Sequence, residues 1–308
     1  MRRRLRLRAY RLTRQRRGGN VGLSICLDVV IFRYRCSKAQ FHTAVPLGTT
    51  LPSRVSLIIM LYICIPAFDE APTVGLLLWR IRTVFEAHPR EYEIIALDDG
   101  STDGTEETLR RYEKVLPLTV LRNETRQGYG AALDTLARAA AKATRYPRRD
   151  AMIVMQGDLT DRPEDLPELA KRFDGGVDCI VAEAGPAAPS APKEIRRLRR
   201  IAPWLMRRYV RVDGVSDPLG TLRLYRIAVI RDVIKQAGDA RIVESAGWAA
   251  NVELLLKAAK FCRRLETVPL TPRYDLRPRA TRVRWFPDAV ALYRFGVAHR
   301  APRAPATT

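Results

Sequence analysis

Three acidic positions of the chain each follow directly after a short apolar stretch: Asp69-Glu70, Asp98-Asp99 and Asp158. If those stretches are parallel strands of one sheet, the acidic positions emerge at one edge and can converge, although 89 residues separate the first from the last. Carboxylates gathered there suit a metal-bridged or arginine-clamped diphosphate, with space for a base and a sugar. Arg223 and the proline-containing segment 273–284 are the expected sources of arginine.

The second acidic position lies in a glycine-punctuated turn, Leu97–Thr105, which reads LDDGSTDGT. Gly100 and Gly104 permit backbone conformations that other residues disfavour, and Ser101, Thr102 and Asp103 are candidate caps for a following helix. The turn alone leaves two interpretations open. It is either part of a ligand site or a structural strand-to-helix connection with solvated carboxylates.

The apolar pattern along the chain alternates between strand-like and helix-like segments. This alternation predicts an α/β fold with a mostly parallel, doubly wound sheet and right-handed crossovers. The predicted strands are Leu61–Ile65, Tyr92–Leu97, Leu118–Arg122, Ala151–Met155, Cys179–Ala182 and Arg263–Val268. The predicted helices include Pro72–His88, Thr105–Val115, Ala131–Thr144, Glu164–Phe173 and Gly247–Ala259.

The formal charge of +21 on 308 residues is concentrated near the N-terminus. Residues 1–60 carry 13 basic and one acidic side chain, whereas the other 248 carry 41 basic and 32 acidic ones. We therefore expect residues 1–54 to be a basic, disordered extension or an upstream segment that the working protein lacks, with Met60 as the alternative start. Residues 55–285 would form the functional domain, and 286–308 a C-terminal helix and disordered tail. The moderate charge of the body makes nucleic acid an unlikely partner.

Cysteine usage and hydropathy indicate a cytoplasmic setting. The five cysteines are odd in number and scattered, without a zinc-like spacing or a disulfide framework. No stretch reaches the roughly 18 to 20 apolar residues that cross a bilayer. The basic segment 193–211 contains interspersed apolar residues and predicts an amphipathic helix. It would either lie at a membrane surface or face an anionic substrate, or it is a solvated helix face.

Taken together and in order, these motifs resemble glycosyltransferase family 2. Within the family they are most similar to the branch of dolichyl- and polyprenyl-phosphate mannosyl- and glucosyltransferases. The resemblance covers about residues 60 to 285 and implies a GT-A fold, a single Rossmann-like domain. It rests on Pro66–Glu70, Leu97–Thr105, Gln127–Ala132, Gln156–Asp158, Asp217–Arg226 and Gly247–Glu253.

The resemblance also implies a role for individual residues. It assigns Pro66, Ala67, Glu70, Asp98, Asp99 and Gly128 to nucleotide binding, Asp158 and Gln156 to Mn²⁺ or Mg²⁺, and Asp158, Arg223, Glu253 and Asp217 to catalysis. Arg223 would contact the diphosphate or the acceptor phosphate, and Glu253 would be an acceptor-side carboxylate. If the acceptor were a hydroxyl, Glu253 or Asp217 would serve as the base.

One departure from the family pattern concerns the metal site. Gln156 stands where the family usually has the first aspartate of Asp-x-Asp, and a neutral amide lowers the affinity for a divalent cation. Asp161 is a candidate replacement ligand.

The expected activity is inverting transfer of a hexose from a donor of the GDP-mannose or UDP-glucose type to an acceptor. A polyprenyl phosphate at the inner face of a membrane is the candidate acceptor. The alternative is a non-catalytic nucleotide-sugar-binding protein with a degraded metal site. The oligomeric state is not predicted.

Overall fold

A computed structural model describes residues 59–184, 191–210, 212–277 and 279–299. These residues all belong to one unit, Ser56–Thr308. The basic extension 1–54 and the terminal residues 300–308 lie outside the described residues. The predictions made for those two segments therefore remain predictions.

The strands are β1 Leu61–Ala67, β2 Tyr92–Asp99, β3 Leu118–Asn123, β4 Ala151–Val154, β5 Cys179–Ala184, β6 Arg223–Arg226 and β7 Leu265–Leu270. In the described part of the chain they form one sheet with the order β3-β2-β1-β4-β6-β5-β7. All neighbours are parallel except β6, which runs antiparallel to β4 and β5. The predicted fold class, a mostly parallel α/β sheet, is thus confirmed.

The helices are α1 Ala71–Ala87, α2 Thr105–Glu113, α3 Tyr129–Ala143, α4 Leu166–Asp174, α5 Lys193–Tyr209, α6 Ile227–Ala237, α7 Gly247–Ala259 and α8 Trp285–Ala298. A short 3₁₀ turn, Pro163–Asp165, precedes α4. The helix predicted from Glu164 therefore begins two residues later, because Pro167 suits the first turn of a helix.

Strand β1 shows why both faces of the sheet are covered. Leu61, Ile63 and Ile65 contribute to an apolar cluster with residues of α1, α2 and α4. The alternate residues Tyr62 and Cys64 contribute to a second cluster with residues of α3, α6 and α7. Because successive side chains of a strand point to opposite faces, one fully buried strand serves both layers.

A third apolar cluster joins α5, α7 and α8. Leu198 and Ala202 of α5 are buried in it together with Leu292 and Phe295 of α8. This cluster fixes α5 and α8 beside each other. In the described ranges, no helix is both long enough and apolar enough to span a membrane.

Candidate active site

The turn Leu97–Thr105 is locked to the loop that follows β1. The locking contacts are Asp69 N–H to Ser101 Oγ (2.9 Å), Glu70 N–H to Thr105 Oγ1 (2.8 Å), Ala71 N–H to Asp103 Oδ2 (3.0 Å) and Thr102 N–H to Asp69 Oδ1 (3.1 Å). Each contact satisfies a backbone donor that the sheet and helices leave free. The polar residues of the turn thus build the carboxyl edge of β1 and β2, where Pro66 and Ala67 pair in register with Leu97 and Asp98.

Asp98 and Asp99 have different surroundings at the end of β2. Asp98 is fully buried, and its carboxylate accepts hydrogen bonds from Ser101 N (3.1 Å) and Arg122 Nη1 (2.7 Å). Asp99 accepts hydrogen bonds from Asn123 Nδ2, Gln127 N and Gly128 N, each at 2.8 Å. Asp99 therefore fixes the backbone at the start of α3, next to the cavity described below.

Asp158 follows β4 and meets two arginines of the segment between β7 and α8. Its Oδ1 accepts the Thr160 N–H at 3.0 Å, and its Oδ2 lies 3.2 Å from Arg277 Nε and 3.5 Å from Arg279 Nη2. Arg279 Nε also donates to Glu70 Oε1 at 2.9 Å. Glu70 and Asp158, predicted for the nucleotide and the metal, are thus brought together through Arg279.

Gln156 is held by hydrogen bonds from its side chain and its backbone. Its Nε2 donates to the Tyr129 hydroxyl at 2.9 Å, which donates in turn to Asn251 Oδ1 at 3.0 Å. Its backbone N–H donates to Asp161 at 2.8 Å. Burial raises the pKa of Asp161 to about 6, although hydrogen bonds from Gln156 and Thr221 work in the opposite direction.

A cavity of about 270 Å³ lies over this edge. Its charged lining residues are Arg126, Arg199, Arg277, Arg279, Arg282, Asp158 and Asp288. Five guanidinium groups against two carboxylates make the cavity strongly positive, and guanidinium groups bind phosphate oxygens in bidentate geometry. Uncharged lining comes from Tyr129, Trp248 and Tyr274, among others. The arrangement suits a ligand with an aromatic or sugar portion and a diphosphate.

The predicted residue Arg223 does not line this cavity. Its side chain is buried and donates to the carbonyl oxygens of Gly220 (2.9 Å), Asn251 and Pro218. In the described structure the guanidinium thus joins the turn before β6 to α7. Its predicted phosphate contact remains a prediction.

Glu253 and Asp217 also lie outside the cavity lining. Glu253 accepts the backbone N–H groups of Glu244 (3.0 Å) and Ser245 (2.8 Å), and Lys257 Nζ at 2.7 Å. Burial acts to raise the pKa of Glu253, but the contacts with Lys257 and Ser245 outweigh it and the pKa is lowered. Asp217 caps the Leu219 N–H at 3.0 Å and lies 3.8 Å from Arg199. The catalytic roles assigned to both remain predictions.

The residues at the expected metal position do not fit a divalent cation. Both oxygens of Asp158 are engaged, Gln156 is neutral and bound to Tyr129, and Asp161 holds Gln156 and Thr221. The described ranges contain no group of three or more histidine, cysteine or acidic side chains arranged to hold a metal ion. A divalent cation at this place would have to share the Asp158 carboxylate with two guanidinium groups.

Sequence reasoning did not single out Arg126, Tyr129, Arg199 or Asn251 as site residues. Tyr129 and Asn251 lie inside two of the quoted motifs, Gln127–Ala132 and Gly247–Glu253. A search of those motifs for side chains at helix starts would have found them. Arg199 was visible as a member of the basic segment 193–211, whereas only the tertiary structure shows which side of α5 faces the cavity.

The sequence profile of "Glycosyl transferase family 2" matches residues 62–234, which is more than half of the chain. The chain therefore belongs to glycosyl transferase family 2. A dodecaprenyl-phosphate galacturonate synthase of Rhizobium johnstonii is 29% identical over 197 residues, covering 62% of this chain and 54% of the relative. A bactoprenol glucosyl transferase of Shigella phage SfX is 24% identical over 176 residues, covering 55% and 53%. The chain spans about half the length of these curated relatives.

Solved structures with the same fold include glucosyl-3-phosphoglycerate synthase from Mycobacterium tuberculosis in complex with Mn²⁺, UDP and glucosyl-3-phosphoglycerate. The TM-score is 0.54 at 19% identity, with 79% of each chain covered. A second mycobacterial protein gives a TM-score of 0.55 at 19% identity, covering 79% of this chain and 74% of the other. These similarities confirm the GT-A fold.

Proposed function

We propose that the protein transfers a hexose or hexuronic acid from a nucleoside diphosphate to a polyprenyl phosphate. Family membership supports the nucleotide-sugar donor, and the names of the two curated relatives support the lipid-phosphate acceptor. The observation that carries the proposal is the cavity beyond the carboxyl end of β4, with its excess of arginine. Both substrates are phosphorylated, and the cavity is complementary in charge to both.

The proposed reaction is a displacement at the anomeric carbon. An oxygen of the acceptor phosphate forms the new bond to that carbon, while the bond from the carbon to the β-phosphate oxygen breaks. The nucleoside diphosphate leaves with the electron pair, and the configuration inverts. A phosphate acceptor is already anionic and needs no general base, so the chief requirement is to stabilise charge on the leaving diphosphate.

In this proposal some of the predicted residues contact the nucleotide and others position its neighbours. Pro66, Ala67 and Glu70 would contact the nucleoside from the end of β1 and the loop after it, outside the residues that line the cavity. Asp99 holds the Gln127–Gly128 backbone at the start of α3. Asp158 orients arginine side chains toward the diphosphate.

The surface of α5 and α8 supports a site of action at a membrane. Arg197, Arg200, Ile201 and Trp204 of α5 form an open cleft with Trp285 of α8. Trp204 is 71% exposed, and Arg197 lies 5.9 Å from the centre of the Trp285 ring. Aromatic and basic side chains on one surface suit the interface of an anionic bilayer, where a polyprenyl phosphate would be found.

The test uses the full chain with UDP-glucose, UDP-galacturonic acid or GDP-mannose, and undecaprenyl phosphate in detergent, each with and without Mn²⁺. We expect a lipid-extractable labelled sugar from one of these donors. Asp158→Asn should lower the rate by about 10²-fold, as expected when a group that organises electrostatic stabilisation is lost. Asp275→Asn, which removes an exposed ion pair in the segment between β7 and α8, should leave the rate unchanged. Absence of a lipid-linked product with every donor would contradict the proposal.

A further inference from the structure

We propose that Arg277 and Arg279 perform the charge neutralisation that a divalent cation would supply, and that the donor diphosphate binds directly to this guanidinium pair without a metal. The inference rests on the proposed function, because it concerns the donor site of that reaction. It would make Asp158 a positioning residue for the arginines rather than a ligand of a cation, and Glu70 a second positioning residue, for Arg279.

The geometry places the arginines where the cation would have to bind. Arg277 and Arg279 are both within 3.5 Å of Asp158 Oδ2, and Arg279 joins Asp158 to Glu70. A cation bound to Asp158 would meet two positive groups at short range, which opposes its entry. Gln156 adds no negative charge, and its Nε2 donates to Tyr129.

Arg277 also has a hydrogen-bond donor, its Nε, that is unpaired within the described part of the chain. Its side chain is 8% exposed and lines the cavity, and its buried Nε has no hydrogen-bond partner among the described residues. The 3.2 Å approach of Nε to Asp158 is therefore an ion pair that leaves the Nε–H of the guanidinium available. An unpartnered buried donor is costly, and a phosphate oxygen in the cavity would satisfy it.

The backbone that carries these arginines is fastened at both ends. The Arg273 N–H donates to Thr160 O at 2.9 Å, and Arg282 Nη1 donates to Phe68 O at 2.7 Å. Arg282 also lies 4.8 Å from the centre of the Phe68 ring. Arg277 and Arg279 are thus held over the sheet edge before a ligand arrives, so little side-chain ordering is needed on binding.

The charge balance is consistent with this assignment. Two guanidinium groups carry the same formal charge as one Mn²⁺ or Mg²⁺ ion, and arginine remains charged at every pH of practical interest. A guanidinium also binds two phosphate oxygens at once, which orients the diphosphate as well as neutralising it.

The test is calorimetry on the full chain with UDP, GDP, uridine and guanosine, in EDTA and again in MnCl₂. In EDTA we expect the preferred diphosphate to bind at least tenfold more tightly than its nucleoside. The double variant Arg277→Gln/Arg279→Gln should lose that advantage, while the affinity for the nucleoside stays the same. Arg273→Gln, in the same segment but paired with Asp275 on the surface, should behave like the parent.

A second double variant keeps the test informative if the glutamine variant unfolds. Arg277→Lys/Arg279→Lys retains the charge opposite Glu70 and Asp158, so it should fold. It should keep a diphosphate advantage in EDTA that is smaller than the parent's but larger than that of the glutamine variant, because an ammonium group supplies charge without bidentate geometry. Diphosphate binding only in MnCl₂ would overturn the inference and leave the proposed function standing. Unchanged diphosphate affinity in a folded glutamine variant would overturn it as well. If neither diphosphate binds in either buffer, the inference and the proposed function both fail.

Discussion

Gln156 shows how one side chain sets the character of the site. The amide donates to Tyr129, which an aspartate could not do when ionised, and its backbone N–H is bound by Asp161. A carboxylate at position 156 would stand beside Asp158 and Asp161 and raise the local negative charge. The glutamine therefore favours a site in which hydrogen bonds and arginine ion pairs, rather than clustered carboxylates, hold the side chains in position.

Asp161 gives the first prediction at the scale of single residues. Burial raises its pKa from 3.8 to about 6, with Asp158 acting in the same direction and Arg199 against it. The folded chain therefore holds this proton more tightly than the unfolded chain does. The resulting contribution to stability is greatest below about pH 3.8 and is lost as the pH rises through about 6. At about 1.4 kcal/mol per pKa unit, the loss is roughly 3 kcal/mol.

We expect Asp161→Asn to remove this loss, because asparagine does not titrate. Its oxygen can accept the Gln156 N–H while its amide donates to Thr221. Denaturant unfolding at pH 4 and pH 8 would measure the effect as a smaller fall in the free energy of unfolding than in the parent. Asp275→Asn is the control, since hydrogen bonding to Arg273 lowers the pKa of Asp275 to about 2, outside that pH range. An identical fall in Asp161→Asn and the parent would refute the prediction.

At the scale of elements, the turn Leu97–Thr105 holds the two neighbouring loops in place. It holds the Phe68–Ala71 loop on one side through four hydrogen bonds. On the other side Gly100 lies against the Thr125–Arg126 backbone. The turn therefore connects the ends of β1, β2 and β3 before any ligand is present.

Gly100 and Gly104 provide a matched pair that tests this packing. Both have positive φ, +74° and +89°, so alanine at either site pays a similar backbone cost of about 1 kcal/mol. A Cβ at Gly100 would lie 2.8 Å from Arg126 N, whereas none of the described atoms lies within 4 Å of one at Gly104. Gly100→Ala should therefore destabilise the protein by about 1–3 kcal/mol more than Gly104→Ala in thermal or denaturant unfolding. Equal destabilisation would show that the turn is not packed as described.

At the scale of the whole molecule, large exposed aromatic side chains lie on more than one surface. Trp204 is 71% exposed and lines a cleft with Arg197, Arg200 and Trp285. Phe286 is 61% exposed, and its ring centre lies 5.6 Å from that of Trp285. Trp79 is also exposed, at 55%, but it lies on α1. If the protein works at a bilayer, only the first surface should contact lipid.

The corresponding prediction concerns vesicles that contain phosphatidylglycerol. Trp204→Ala should weaken sedimentation of the full chain with these vesicles by about tenfold, because a buried aromatic side chain contributes about 1.5–3 kcal/mol. Trp79→Ala should leave it unchanged, and added salt should weaken binding of every variant that binds. Equal loss in Trp204→Ala and Trp79→Ala would indicate that this surface is not the one that meets the membrane.

The sequence predicted the parallel strands β1 to β4 and the edge at which their acidic residues meet. This was possible because buried parallel strands are continuous apolar runs, and because the ends of parallel strands share one side of a sheet. The antiparallel position of β6 was not predictable, since a four-residue strand carries no sign of its direction. The sequence also did not show that the buried Arg223 guanidinium donates to three carbonyl oxygens, because those partners lie in the turn before β6 and in α7.

The sequence by itself determined the family, the fold class and the carboxylates at the sheet edge, because those depend on local patterns that follow one another in the chain. Only the tertiary structure decided which arginine side chains face these carboxylates. Arg277 and Arg279 are more than 100 residues from Asp158 and more than 200 from Glu70. Residues 271–277 and 279–284, which form neither helix nor strand, bring them together. Pairing at such separation depends on how β7 and α8 are packed, which no local pattern encodes.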